Sequence, residues 1–169
     1  MKKIGIFYGS TTGTTETVAK AIAEKLQVAS ADVHDVSKLD KEVVSNYDVL
    51  LLGSSTWGDG ELQDDWYDGS NIISSMDLSG KTVAFFGCGD SASYSDTFCD
   101  AMGILYNDLK RTGCAFCGAF PTDGYSFDGS AALIDDQFIG LPIDNMNEDN
   151  LTEGRIDAWV TILKKGCLS

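Results

Sequence analysis

Apolar and polar residues along this chain fall into blocks that predict β-strands and α-helices in turn. Continuous apolar runs predict buried strands at residues 4–8, 48–53, 82–87 and 115–120. The alternating segment 31–36 predicts a strand nearer the edge of a sheet. Apolar residues three or four positions apart predict helices at residues 16–27, 96–110 and 151–165, with a shorter helix around 62–74.

The alternation of strand and helix favours an α/β fold. We expect a single domain over residues 1–169, with a doubly wound five-stranded parallel sheet between two layers of helices. Ligands of such sheets bind at the carboxyl ends of the strands. The loops at residues 9–15, 54–60 and 88–94 should therefore converge there, and their Gly, Ser and Asp content suits that position.

A turn-rich segment at about residues 121–137 does not fit a minimal five-stranded domain. Residues 138–141 then have the character of a strand again. We interpret the segment as an insertion that splits the fifth strand. Its sequence leaves open whether it forms an interaction surface or only packs against the domain.

The loop at residues 9–15 holds five hydroxyl side chains and two glycines between the first strand and the first helix. Backbone N–H groups and the positive end of the helix dipole meet at such a position, which suits a phosphate. The loop lacks the Gly-Lys-Ser/Thr ending of nucleoside-triphosphate loops and the spacing of a dinucleotide fingerprint. Simple capping of the helix by a threonine-rich turn is the alternative.

Two aromatic residues follow the third and fourth predicted strands. Trp57 and Tyr94 each come directly after a buried run, so both belong at the ligand edge of the sheet. Two aromatic rings there can clamp a flat ring between them. Packing of Trp57 under a neighbouring loop is the alternative interpretation.

Charge and cysteine content narrow the function classes. The net charge is −14, and Lys81 is the only basic residue between Lys41 and Lys110. This acidic character disfavours binding to nucleic acid or anionic membranes and favours a basic protein partner. No apolar run approaches the roughly 20 residues of a membrane helix, and we expect a cytoplasmic protein.

The five cysteines are expected to be free thiols, with no metal site and no redox pair at Cys114 and Cys117.

Over nearly its whole length the chain resembles the flavodoxins, and their long-chain subgroup in particular. The matching segments are residues 9–15, 55–66, 87–98, 121–125 and 140–155. The resemblance implies the sheet order 2-1-3-4-5 and FMN as cofactor. It implies that residues 10–15 hold the phosphate, that Ser55 and Thr56 lie along the ribityl chain, and that Trp57 and Tyr94 stack on the ring.

Further positions follow from the same resemblance. Asp90 and the backbone of Gly89 and Cys99 would meet the pyrimidine edge, while the peptide between Gly58 and Asp59 would face flavin N5. The full set implied for the cofactor site is Ser10, Thr11, Thr12, Gly13, Thr14, Thr15, Ser55, Thr56, Trp57, Gly58, Asp59, Gly60, Cys88, Gly89, Asp90, Tyr94, Phe98 and Cys99.

This chain departs from the flavodoxin pattern at four of its positions. Ser55 stands where proline is frequent, and Cys88 and Cys99 replace residues of other types. Met146 stands where many long-chain members have an acidic residue near the ribityl chain. Because a thioether is a poor acceptor, we expect that contact to be weakened.

The function implied is that of a low-potential, one-electron carrier, not an enzyme, which cycles FMN between semiquinone and hydroquinone. Partners in this family are redox proteins with basic surfaces, such as flavin-containing NADP reductases and keto-acid oxidoreductases, and an electron shuttle of this kind is expected to be a monomer. An FMN-dependent reductase of quinones or other small molecules is the alternative. Such an enzyme needs a substrate pocket over the flavin, which an aromatic residue on each face would close.

Overall fold

The computed structural model describes residues 2–169 and has a central sheet of parallel strands. The strands of the chain are β1 (Ile4–Gly9), β2 (Val33–Asp35), β3 (Val49–Trp57), β4 (Glu61–Leu62), β5 (Thr82–Cys88), β6 (Ala115–Phe116), β7 (Phe120–Pro121), β8 (Leu133–Ile134), β9 (Gln137–Phe138) and β10 (Gly140–Ile143). The order across the central sheet is β2-β1-β3-β5-β10. This confirms the predicted order 2-1-3-4-5, in which β5 and β10 are the fourth and fifth strands.

Helices cover both faces of the sheet. They are α1 (Thr14–Leu26), α2 (Lys41–Ser45), α3 (Asp65–Ser74), α4 (Asp100–Leu109) and α5 (Thr152–Lys165). Helix α1 packs beside α5, and α3 packs beside α4. The helices bury their apolar stripes against β1, β3 and β5, whose central residues, such as Phe7, Leu51 and Phe85, are almost fully buried.

The ends of several predicted elements are wrong. Strand β3 continues through Ser54–Trp57, predicted as loop, because its first two added residues still pair with β5 and its last two pair with the short antiparallel strand β4. That pairing delays the start of α3 to Asp65. Helix α4 begins at Asp100 rather than residue 96, since residues 95–97 form a separate 3-10 turn. Strand β2 is only three residues long and lies between two 3-10 turns, and the short helix α2 was not predicted.

The fifth strand is split, as predicted. Its first part, β6, pairs with the beginning of β5, and its second part, β10, pairs with the end of β5. The chain between them forms a three-stranded sheet in the order β7-β9-β8. This insertion packs against the domain through Tyr125, whose ring lies 3.8 Å from the Arg155 guanidinium and whose hydroxyl donates to the Pro142 carbonyl at 2.7 Å.

The prediction of five free thiols is wrong for one pair. Cys117 and Cys167 are joined by a disulfide with a Cα–Cα distance of 6.3 Å. The chain folds back after α5, where Leu168 N–H donates to the Leu163 carbonyl, and this places the C-terminal segment beside the end of β6. Cys88, Cys99 and Cys114 are free. The pairing spans 50 residues, so no local sequence pattern indicates it.

Candidate functional site at the carboxyl edge of the sheet

The strand ends meet in register at one edge of the sheet. Gly9 pairs with Ser54, Ser55 pairs with Cys88, and Cys88 pairs with Ile143. The three loops singled out in the sequence therefore lie side by side, together with the segment that follows β10. This edge is the candidate site.

The first of these loops leaves the N-terminus of α1 open. Gly13 caps the helix with φ +93°, which glycine adopts without steric cost, and no side chain caps this helix end. The Ser10 hydroxyl accepts from Gly13 N–H at 3.0 Å and holds the loop in a tight turn. The N–H groups of the first helical turn have no partner inside the helix and can bind an anion.

Thr15 provides the most specific indication of a ligand. Its side chain is fully buried, and among residues 2–169 its hydroxyl has no oxygen or nitrogen partner. The polar group beside it is the thiol of Cys88, a weak hydrogen-bonding partner. Burial raises the pKa of Cys88 to about 11, against a smaller lowering effect of the Thr15 hydroxyl, so the thiol stays neutral. A buried hydroxyl next to an open helix N-terminus fits a phosphate oxygen.

The second loop presents an indole at the surface. Trp57 is 40 % exposed, and its indole N–H donates to the Ser55 hydroxyl at 2.8 Å. The Thr56 hydroxyl accepts from Ala101 N–H at 3.1 Å and so fixes the loop to the start of α4. Gly58 has φ +51°, and Gly60 N–H closes the turn by donating to the Trp57 carbonyl at 3.1 Å.

The third loop carries Tyr94, which is 46 % exposed. Asp90 shapes this loop, because its carboxylate accepts the N–H groups of Ala92 at 3.1 Å and Ser93 at 3.0 Å. Hydrogen bonds from Ser93 N–H and from Asn147 lower the pKa of Asp90. The Asp90 side chain is therefore already engaged within the protein. Gly89 N–H is engaged too, donating to the Ile143 carbonyl at 2.9 Å.

Phe98 and Cys99 lie beneath this loop and are fully buried. The Phe98 ring packs among aromatic rings of the insertion, including Phe127 and Phe138. The edge of this ring also lies close to Gly89 at the start of the loop. Cys99 has φ +54° at the start of α4, and burial raises the pKa of its thiol well above the ordinary value.

Two buried polar residues at this edge were missed by the sequence analysis. Gln63 donates to the Thr11 hydroxyl at 3.2 Å, and its own N–H donates to the Ser54 hydroxyl, which links the first two loops. Asp144 is fully buried and accepts hydrogen bonds from Ser91 and Asn147. Asp144 directly follows a buried strand, and a polar residue at that position was the signal that could have identified it.

Acidic side chains are concentrated on the stretch that follows Trp57 in the sequence. All of them are exposed, namely Asp59, Glu61, Asp64, Asp65 and Asp68. Met146 is 70 % exposed at the same edge of the sheet.

No helix within residues 2–169 combines the length and the apolar character needed to cross a membrane.

Fold and site together define a doubly wound α/β protein with a phosphate-type loop and two exposed aromatic residues at one sheet edge. A family model described as flavodoxin matches residues 6–159. Flavodoxin 1 of Azotobacter vinelandii is 43 % identical over 98 % of this chain and 97 % of its own length. Flavodoxin 1 of Escherichia coli is 46 % identical over 92 % of this chain and 89 % of its own length.

A solved structure that is similar to this chain is also a flavodoxin. The structure of Fusobacterium nucleatum flavodoxin bound to flavin mononucleotide has a TM-score of 0.88 and 32 % identity, with 98 % of each chain covered. The chain belongs to the flavodoxin family. Its split fifth strand and its length are those expected of the long-chain subgroup.

Proposed function

We propose that this flavodoxin binds FMN at the carboxyl edge of its sheet and carries electrons one at a time between redox proteins. The observation that carries this proposal is the buried, unpartnered hydroxyl of Thr15 beside the open N-terminus of α1. Bound FMN would supply the one-electron chemistry. The protein's residues bind the cofactor, orient it and set the electrostatic field around it.

The residues predicted for the phosphate, 10–15, form a loop with open N–H groups and no basic side chain. Trp57 and Tyr94 each follow a central strand at this edge and keep large exposed areas, which suits stacking on the two faces of a flat ring. Ser55 holds the indole in place rather than standing free. The remaining members of the predicted set, including Asp59, Cys88 and Phe98, stay predictions.

Stepwise reduction of the purified protein, followed by its visible spectrum, tests the proposal. A yellow protein that accepts electrons in two separate one-electron steps supports the carrier function. Bleaching in a single two-electron step favours the reductase instead. A colourless protein that takes up no added FMN contradicts cofactor binding altogether.

Gly58 is expected to influence the first reduction step. Its φ of +51° places it where a β-branched residue is strained, although a Cβ there would meet nothing closer than Glu61 Oε2 at 3.8 Å. We propose that this conformation offers the carbonyl of the peptide between Gly58 and Asp59 to flavin N5, and that the protein depends on it only after the first electron has been added, when N5 carries a proton. Gly58→Val should disfavour it by about 1 kcal/mol, which lowers the higher one-electron potential by about 40 mV.

Potentiometric titration of the variant measures this shift. Gly124→Val is a matched control, because Gly124 also has a positive φ and open space around its Cα but lies in the insertion. We expect the control to lose stability and keep its potential. An unchanged potential in Gly58→Val would remove the role given to this peptide.

The exposed acidic side chains on the stretch after Trp57 are proposed to form the docking surface for a basic redox partner. Removing charge with Glu61→Gln and Asp64→Asn should slow association at low salt by a factor of roughly 2 to 10, because steering by opposite charge weakens. Stopped-flow mixing with a flavin-containing NADP reductase at several salt concentrations measures this effect. Glu42→Gln, an exposed acid on α2, serves as the control. Rates that do not change with salt or with these substitutions contradict this surface.

We further propose that the carrier is a monomer and works in the cytoplasm. The Cys117–Cys167 disulfide is unusual for a reducing compartment. Trapping thiols with an alkylating agent at the moment of cell lysis tests the location, since a cytoplasmic protein should show this pair mostly reduced. Sedimentation of the purified protein tests the monomer.

A further inference from the structure

The loop that carries Tyr94 is hydrogen-bonded to the carboxylate of Asp144, which belongs to another part of the chain. Asp144 lies immediately after β10 and is fully buried. One of its oxygens accepts from Ser91, both from the backbone N–H at 3.2 Å and from the hydroxyl. The other accepts from the Asn147 N–H at 3.1 Å and from its side-chain amide at 3.0 Å.

Asn147 extends this contact to the other half of the loop. Its side-chain amide also donates to Asp90 at 2.8 Å. Asp90 in turn accepts two N–H groups of the loop through its side chain, and its carbonyl accepts Tyr94 N–H at 2.9 Å. A continuous series of hydrogen bonds therefore runs from Asp144 to the residue that carries the exposed ring.

Burial of a carboxylate is costly unless hydrogen bonds replace its lost water. Here the donors all come from Ser91 and from Asn147. Asp144 keeps the donors of Ser91 only while the loop keeps its present shape, so the loop and the carboxylate stabilise each other. A loop held in this way is ordered before any ligand arrives, and ordering it on binding would otherwise weaken affinity.

We propose that Asp144 is a positioning residue for the isoalloxazine ring, acting through Ser91 and Asn147 on the loop that carries Tyr94. It touches neither the phosphate loop nor the turn at Gly58 by any hydrogen bond among residues 2–169. Its effect should therefore fall on the ring portion of the cofactor and leave the phosphate portion alone. This inference rests on the proposed FMN site.

Titration of the apoprotein with FMN and with riboflavin, followed by flavin fluorescence, separates the two portions. Asp144→Ala should weaken both ligands by the same factor, about tenfold, so that the ratio of their affinities stays that of the wild type. Asp144→Asn keeps one acceptor oxygen, which can serve the donors of Ser91 or the N–H of Asn147 but not both, and should restore part of the loss. Asp149→Ala removes an exposed acid from the same segment and should bind both ligands normally.

If Asp144→Ala does not fold, the double variant Ser91→Ala with Asn147→Ala removes the side-chain donors to Asp144, keeps the two backbone N–H donors, and should give a smaller loss that is again equal for both ligands. Wild-type affinity for riboflavin in these variants would overturn the inference. So would a loss confined to FMN, because it would locate the damage at the phosphate loop. Failure of the wild-type protein to bind either flavin would contradict the proposed function instead.

Discussion

Reduction of the disulfide between Cys117 and Cys167 is expected to lower the free energy of unfolding by about 4 kcal/mol. The bond closes a segment of 50 residues that contains the insertion, β10 and α5. In the chain-entropy account, a closed loop of this length restricts the unfolded chain by about that amount. The effect is large because the bond joins the end of β6 to the C-terminal segment, two regions far apart in the sequence.

Urea unfolding of the oxidised and reduced protein, at a fixed FMN concentration, measures this difference. The FMN concentration must be held constant because a ligand of the folded state adds its own stabilisation. The double variant Cys117→Ser with Cys167→Ser should behave like reduced wild type. Cys114→Ser alters a free thiol nearby and should still respond to the reductant. Identical unfolding midpoints with and without reductant would mean that the bond does not form in solution.

Replacement of Thr15 by valine is expected to weaken FMN binding by roughly 30-fold. Valine has nearly the shape of threonine but lacks the hydroxyl, so the change removes one hydrogen bond to the phosphate. A hydrogen bond to a charged group contributes about 2 kcal/mol, which corresponds to this factor in affinity. Riboflavin has no phosphate, and its affinity should not change.

The apoprotein should respond in the opposite direction. The Thr15 hydroxyl is buried without an oxygen or nitrogen partner among residues 2–169, so its removal should leave the apoprotein as stable or slightly more stable. Thr152→Val is a matched control, because Thr152 on α5 carries the other buried hydroxyl without such a partner. Its substitution should not affect FMN. Unchanged FMN affinity in Thr15→Val would contradict the proposal that the FMN phosphate binds beside the Thr15 hydroxyl.

Most of the sheet could be predicted from the sequence because its central strands are buried on both faces. Strands β1, β3 and β5 are continuous apolar runs, and no other local structure of that length explains them as well. The amphipathic stripes of α1 and α5 were equally clear. The ends of elements were less predictable, since the end of β3 depends on a hairpin partner, Glu61–Leu62, that has no strand signal of its own.

The candidate site was also predictable from the sequence only in part. Hydroxyl-rich and aromatic loops after the strands were visible in the sequence, because loops at the carboxyl ends of parallel strands must converge. The sequence did not indicate that the Thr15 hydroxyl lacks a partner, or that Ser55 holds the indole of Trp57. Those facts depend on side-chain directions that only the packed protein fixes.

The sequence by itself determined the α/β class, the split of the fifth strand, the loops of the site and the acidic surface. Each of these follows from local periodicity, turn chemistry or charge, and these properties depend on residues that are close together in the sequence. The tertiary structure decided the Cys117–Cys167 bond and the support that Asp144 gives to the loop at Ser91. These contacts join residues 50 and 53 positions apart, and such pairs meet only when the strands between them have taken their places in the sheet.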